Sequence, residues 1–201
     1  VSDARPVNIG VLASHTGTNL QAIMDACKRG ALPARVTVVI SNNSQSGAIA
    51  RAAAADIPTC HLSGKTHHWD GALDVAVAET LATHDVQIVV TAGYMKKVGP
   101  VTRKRFPVII NTHPALLPKH GGQGMYGMHV HRAVIEGGDS ETGITVHYVT
   151  AEYDTGPTIA QLPIPVLAHD TPETLAARML PLEHELLVTS ISKVIDTAAP
   201  R

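Results

Sequence analysis

The strongest constraint on this chain is a recurrence. Short apolar runs, unbroken by polar alternation, are separated by segments of helical character. The runs are NIGVLAS (8–14), ARVTVVISN (34–42), IPTCHL (57–62), QIVVTAG (87–93) and VIINTH (108–113). Between them lie NLQAIMDACKRG (19–30), AIARAAAAD (48–56) and WDGALDVAVAETLATH (69–84). Val/Ile runs of this kind are strands buried on both faces, and the helices supply the covering layers. The pattern therefore predicts a mostly parallel sheet. Gly30 stands in the usual stop position of the first helix. The third helix is expected to run through Gly71.

After residue 113 the pattern changes. HVHRAVIEGG (129–138) reads as a short helix, and GITVHYVT (143–150) and TIAQLPIPV (158–166) read as strands. The short AEYDTGP connection (151–157) favours antiparallel pairing, and Pro163 and Pro165 assign the second strand to an edge. Residues 171–196 close the chain as a helix that Pro181 is expected to kink or split. Thr171 with Thr174 forms Thr-x-x-Thr rather than a capping box, although Pro172 and Glu173 suit a first turn. The expected fold class is α/β. It is a Rossmann-like, mostly parallel sheet with helices on both faces, plus a C-terminal antiparallel hairpin and closing helix. The expected organisation is a single domain over 1–201.

Composition narrows the function. Sixteen basic residues balance seventeen acidic ones without a basic stripe, which argues against nucleic acid as a partner. Aromatics make up only 3%, too few for base-stacking platforms. No apolar run has the length of a membrane span, and VSDARPVN lacks the order of a signal peptide. Cys27 and Cys60 lie far apart without metal-ligand spacing, as reduced thiols in a cytoplasmic protein would.

Three segments carry chemistry. The first is ASHTGTNLQ (13–21), where the first strand turns into the first helix. It has a plain reading, in which Thr18 and Gln21 form a capping box and Gly17 makes the turn. It also has a functional one, in which the amides of Gly17, Thr18 and Asn19 bind phosphate at the helix start. The segment is neither G-x-G-x-x-G nor a Walker loop, so a phosphomonoester fits better than a dinucleotide.

The second is NTHPALLPKHGGQGMYG (111–127). Residues two apart on a strand face the same way, so Asn111 and His113 project together from the carboxyl end of their strand. In open α/β sheets that edge binds ligands. Either the pair satisfies the backbone of the next loop, or it forms a site. Asn can donate to an oxygen becoming an oxyanion, and His can carry a proton near neutral pH. No Ser or Cys stands beside them, which favours direct transfer over an acyl-enzyme. Pro114 and Pro118 stiffen the exit, while Gly121, Gly122, Gly124 and Gly127 allow a mobile or tightly folded cover. The third segment is the AEYDTGP turn. Asp154 is either an ordinary turn residue or a carboxylate beside His113 that raises the imidazole's pKa and orients a water.

Together these segments resemble the glycinamide ribonucleotide formyltransferases, which use 10-formyltetrahydrofolate in purine biosynthesis. The likeness runs from NIGVLASHTGTNLQAI to PLEHELLV, and NTHPALLPKHGGQGMYGMHVHRAV with GITVHYVTAEYDTGPTIAQ is its most specific part. It implies a catalytic trio of Asn111, His113 and Asp154. It also implies that Gly17, Thr18 and Asn19 hold the ribose phosphate, and that Glu183 holds the glycinamide amine. Met95, Lys96, Lys97 and Val98 would lie beside the folate, with Asn111 and the turn residues Thr150, Ala151, Glu152 and Tyr153. The half at about 8–110 would bind the ribonucleotide, and the half at about 111–201 would carry catalysis and folate binding. Two positions depart from the pattern. Lys96 stands where the family often has Arg, keeping the charge without the planar fork. Asp70 stands where many members have a folate-contacting Arg. The glycine loop has the family's longer form.

The implied co-substrate is 10-formyltetrahydrofolate, with no metal. His129 and His131 fall on opposite sides of a helix, His67 and His68 lie in a loop, and there is no H-E-x-x-H or cysteine cluster. His147 is left facing either the site or the core. The stripe at 186–195 is core or a homodimer face. Other acceptors remain open: water in a deformylase, or a sugar amine or methionyl-tRNA in another transferase. The deformylases typically have a second His where Pro114 stands, and the tRNA enzymes have a basic C-terminal domain that this sequence does not show. A silent nucleotide-binding module is a further alternative, against which the intact Asn111, His113 and Asp154 argue.

Overall fold

A computed structural model describes residues 5–198 of the chain. Residues 1–4 and 199–201, the ends of the expected 1–201 domain and the start of the VSDARPVN stretch, lie outside the described residues. The strands are β1 (Val7–Leu12), β2 (Ala34–Ser41), β3 (Thr59–His61), β4 (Ile88–Thr91), β5 (Ile109–His113), β6 (Glu141–Tyr148) and β7 (Thr158–Pro165). They form a seven-stranded sheet in the order β3-β2-β1-β4-β5-β6-β7. Pairing is parallel from β3 to β5, and β6 and β7 are antiparallel. The sheet is thus mostly parallel with a C-terminal antiparallel pair, and β7 lies at an edge. The chain leaves β1 toward β2 on one side and later returns to β4 on the other, which opens a crevice at the strand ends between them.

The helices are α1 (Thr18–Lys28), α2 (Gly47–Ala54), α3 (Ala72–Thr83), α4 (Pro100–Arg105), α5 (Met128–Glu136) and α6 (Pro172–Ala198). Alternate strand residues divide between two cores. Ile9, Val11, Val39 and Val90 pack with Leu20 and Ile23 of α1 and Leu187 and Ile191 of α6. Leu12, Val38, Ile40 and Val89 pack with Val77 and Leu81 of α3. The stripe at 186–195 is therefore core. On β1, Gly10 admits α3 closely, since a Cβ there would come within 2.5 Å of Leu81 Cδ2.

Several expected boundaries move. Helix α3 starts after Gly71, which takes a left-handed conformation at its N-cap instead of lying inside the helix. The short α4 has no counterpart in the sequence pattern. It is held from outside, because Asp74 of α3 accepts from the amides of Val101 and Thr102 at its start. Pro181 does not split α6, which is one helix of 27 residues. A reciprocal cap at its start also replaces the expectation of none. The Thr174 amide donates to the Thr171 hydroxyl at 3.2 Å, and the Thr171 amide donates to Thr174 Oγ1 at 2.8 Å. Thr174 fills the role usually given to Glu or Gln in a capping box. Thr171→Ala removes one half of this pair. It should lower stability by about 1 kcal/mol in urea unfolding, and an unchanged midpoint would show that the cap contributes nothing.

Candidate active site

The carboxyl ends of β1, β4 and β5 open into a cavity of about 790 Å³, roofed by the glycine loop and closed on one side by α6. A volume of this size suits small-molecule ligands. Its walls hold Asn111, His113 and Asp154, together with Thr18, Asn19, Glu183, Met95, Lys96, Lys97, Val98, Thr150, Glu152 and Tyr153. Residues from before and after position 110 thus share it. Gly17, Ala151 and Asp70 are not among the lining residues.

Strand β5 delivers Asn111 and His113 to the same cavity, as the period of two requires. Thr91 of the neighbouring β4 donates to Asn111 Oδ1 at 2.7 Å, which turns the Nδ2 donor the other way. The exit of the strand is pinned by Thr145, paired with His113 across the antiparallel ladder. Its hydroxyl donates to the Ala115 carbonyl at 2.6 Å and accepts from the Leu117 amide at 3.1 Å. The stiff exit expected from two prolines is in fact tied by a side chain from β6.

Asp154 comes from the β6–β7 turn in a left-handed conformation with φ of 57°. Its Oδ2 lies 3.6 Å from His113 Nδ1, and its Oδ1 lies 3.5 Å from His147 Nε2. It also accepts from the Gly122 amide at 2.9 Å. Burial alone would raise this carboxyl. The hydrogen bond from His147, the His113 charge and the Gly122 N–H outweigh burial and hold it below the usual carboxylate value.

The His113 Nε2–H donates to the carbonyl of His120 at 2.7 Å, since a carbonyl can only accept. Nδ1, facing Asp154, is therefore the nitrogen that gains or loses the proton. Asp154 was expected to raise the pKa of this imidazole. Its charge does act in that direction, but burial is the larger effect and sets the pKa below the ordinary histidine value. His113 is 3% exposed, so little water is available to solvate an imidazolium.

His147, left open between site and core, faces the site. Register decides this, because β6 pairs Asn111 with His147. Its Nδ1 donates to the Tyr148 carbonyl at 2.9 Å, leaving Nε2 3.1 Å from Asn111 Nδ2. A neutral Nε2 accepts from Asn111, whereas a protonated one donates to Asp154. His131 is a second residue that spacing did not single out as a site group. It lines the cavity, and its Nδ1 has no partner among the described residues. Burial, then the nearby His113, lowers its pKa.

At the other end, the α1 start departs from the capping-box expectation. Gly17 is the N-cap, with φ of 73°, and no side chain caps the helix. A Cβ on Gly17 would lie 2.6 Å from Ala48 Cα, so this glycine also serves close packing against α2. Gln21 turns away to Asp25 and Arg51, and Thr18 lines the cavity. Asn19 Nδ2 donates to Glu183 Oε1 at 2.9 Å. Burial pushes the Glu183 carboxyl up, against the lowering effect of the Asn19 bond. At the mouth, Lys97 pairs with Glu152 at 3.2 Å and lies 5.6 Å from the Tyr153 ring centroid. Among the described residues, no group of three or more His, Cys, Asp or Glu is arranged to hold a metal ion, and no helix is long and apolar enough to cross a membrane.

The depressed pKa of His113 has a stability consequence. The unfolded chain takes up this proton near the ordinary value of 6.5, before the folded one does. Stability therefore falls as pH drops below that value toward the folded pKa. Asp154 acts in the same direction at lower pH, below the ordinary 3.8. The groups facing His113 are Asp154, His120, His131 and His147. His113→Asn should lose less stability than the parent between pH 7 and pH 5 in urea titrations. Equal losses would contradict a buried neutral imidazole.

The family model described as Formyl transferase matches residues 7–191. The phosphoribosylglycinamide formyltransferase of Escherichia coli K12 is 37% identical over 191 residues, covering 94% of this chain and 88% of that one. The chloroplastic phosphoribosylglycinamide formyltransferase of Vigna unguiculata is 38% identical over 193 residues, 96% of this chain, but the chain spans 62% of its length. The crystal structure of glycinamide ribonucleotide transformylase 1 from Symbiobacterium toebii superimposes with a TM-score of 0.88 at 40% identity, covering 94% of this chain and 88% of that one. Sequence and fold agree: the chain belongs to the formyl transferase family, among its phosphoribosylglycinamide formyltransferases.

Proposed function

We propose that this chain transfers the formyl group of 10-formyltetrahydrofolate to the amine of glycinamide ribonucleotide, in de novo purine biosynthesis. The observation that carries the proposal is the convergence of Asn111, His113 and Asp154, from β5 and the β6–β7 turn, on one cavity whose far end is the start of α1. The Thr18 and Asn19 region at that helix start suits a phosphate, through its amides and the helix dipole. Glu183, beside Asn19, accepts hydrogen bonds from the glycinamide amine. The apolar side chains of Met95 and Val98 and the ring of Tyr153 suit the flat rings of a folate, with Lys96 and Lys97 toward its acidic end. Two free thiols, Cys27 and Cys60, support a cytoplasmic setting.

The chemistry follows from the donor set. As the amine attacks the formyl carbon, Asn111 Nδ2 donates to the oxygen gaining charge, its direction set by the Thr91 bond. His113 is neutral at rest, and its Nδ1 takes a proton while the oxyanion forms, steadied by Asp154. The carbon–nitrogen bond to the folate breaks as that nitrogen is protonated. The proton that His113 takes comes from the attacking amine through a water held by Asp154, and His113 passes it on to the folate nitrogen, so one proton moves from amine to folate and the imidazole returns to neutral.

The direct test is to mix the protein with 10-formyltetrahydrofolate, with and without the ribonucleotide, and follow the deformylated folate by absorbance. Turnover that requires the ribonucleotide is expected. Turnover without it would indicate a hydrolase, and none at all a silent module. His113→Ala should cut kcat by roughly 10²-fold or more in a folded protein. Glu183→Gln should instead weaken ribonucleotide binding by about 10-fold or more, the scale of one hydrogen bond to a charged group. Unchanged values would overturn those assignments.

A further inference from the structure

The glycine loop begins with a feature that the proposed trio does not use. His120 has φ of 55°, a conformation uncommon outside glycine. Its side chain turns away from the cavity and meets Asp139, just beyond α5, with Nε2 2.7 Å from Oδ2. The other oxygen of Asp139 accepts from Lys119 Nζ at 2.7 Å. One carboxylate thus grips two consecutive residues of the loop. Asp139 is itself fixed, because its amide donates to the Val134 carbonyl in the last turn of α5.

What this grip controls is the backbone. The His120 carbonyl accepts the Nε2–H of His113 at 2.7 Å, and two residues later the Gly122 amide donates to Asp154 at 2.9 Å. Between them, a Cβ on Gly121 would come within 2.6 Å of Leu117 and 3.3 Å of the Asp154 Cβ, so the loop lies flat against the pair. Residues 120–122 therefore touch both His113 and Asp154 through main-chain atoms alone.

We propose that His120, clamped by Asp139, is a positioning residue for His113: its side chain holds its own carbonyl where it accepts Nε2–H, which commits Nδ1 to exchange its proton opposite Asp154. A hydrogen bond from Nε2 favours the charged ring, so the clamp opposes the desolvation that disfavours it. His113 is faced by Asp154, His120, His131 and His147, and His120 is faced by Asp139 and Lys119. The effect on rate rests on the formyl-transfer proposal; the effect on His113 does not.

The test separates anchoring from backbone strain. His120→Gly accepts the left-handed conformation freely and removes only the anchor, whereas His120→Gln keeps a side-chain N–H near the position of Nε2. Isotope-labelled histidine NMR of the free protein, with His113 assigned from a His113→Asn variant, should show its titration moving to lower pH in His120→Gly and returning toward the parent in His120→Gln. Asp139→Ala should reproduce the shift, and the double variant should add nothing to it. In the formyl-transfer assay, kcat should drop roughly tenfold in His120→Gly while KM for the ribonucleotide holds. A His113 titration identical to the parent's in both His120→Gly and Asp139→Ala would overturn the proposal. Because the NMR readout needs no turnover, a failed activity assay would count against the functional proposal alone.

Discussion

A carboxylate taken out of water must find hydrogen bonds and positive charge, or it will not stay ionised. Asp154, with its side chain 10% exposed, is met from three separate segments: the Gly122 amide of the glycine loop donates to it, and His113 on β5 and His147 on β6 stand beside it as rings that pair with it when protonated. One anion therefore links the strand end, the neighbouring strand and the cover. The left-handed backbone at Asp154 fits the same logic, since the surroundings determine a conformation that the residue alone would rarely choose.

The mixed sheet makes this arrangement reachable. The parallel strands, β1 to β5, bring their carboxyl ends to one edge, where α1 begins and where β5 ends in Asn111 and His113. The strand added beyond β5 runs the other way. An antiparallel β6 instead runs away from its pairing partner His113 and past Ile110 into the turn bearing Asp154. It also sets His147 opposite Asn111 and Thr145 opposite His113. Strand β6 thus supplies an imidazole and the hydroxyl that pins the exit of β5, and the turn that follows it folds back to set Asp154 beside His113 and His147.

What the sequence disclosed, and what it hid, follows from the range of the interactions. The buried strands were legible because a run such as VIINTH excludes most alternatives, and the shared facing of Asn111 and His113 was legible because strand period is local. His147 was not, because its facing depends on a register set across a connection of 27 intervening residues, between the end of β5 at His113 and the start of β6 at Glu141. Helix α4 was invisible for a related reason, as its start is satisfied by Asp74 from another helix. The two caps failed in opposite directions. Thr18 had the right neighbour for a box, but Gly17 took the N-cap position. Thr171 had the wrong neighbour, yet each threonine hydroxyl accepts from the other's amide. The convergence of Asp154 with His113 came from the resemblance, because nothing in their spacing required it.

The balance at His113 explains why so many groups attend one ring. Burial pulls its pKa down, while Asp154 and the His120 carbonyl push it up. Burial prevails, and the opposing contributions depend on distances. A more exposed imidazole would be solvated in either state and indifferent to its neighbours, and a buried one without Asp154 would simply remain neutral. Between those limits, under the proposed formyl transfer, negative charge developing nearby would add to Asp154 and tip the ring toward protonation. Such poise requires that the opposing contacts not drift. That requirement accounts for fixing Asp154 from three segments and for gripping the His120 peptide from the far side of the loop, through Asp139, at the end of a packed helix.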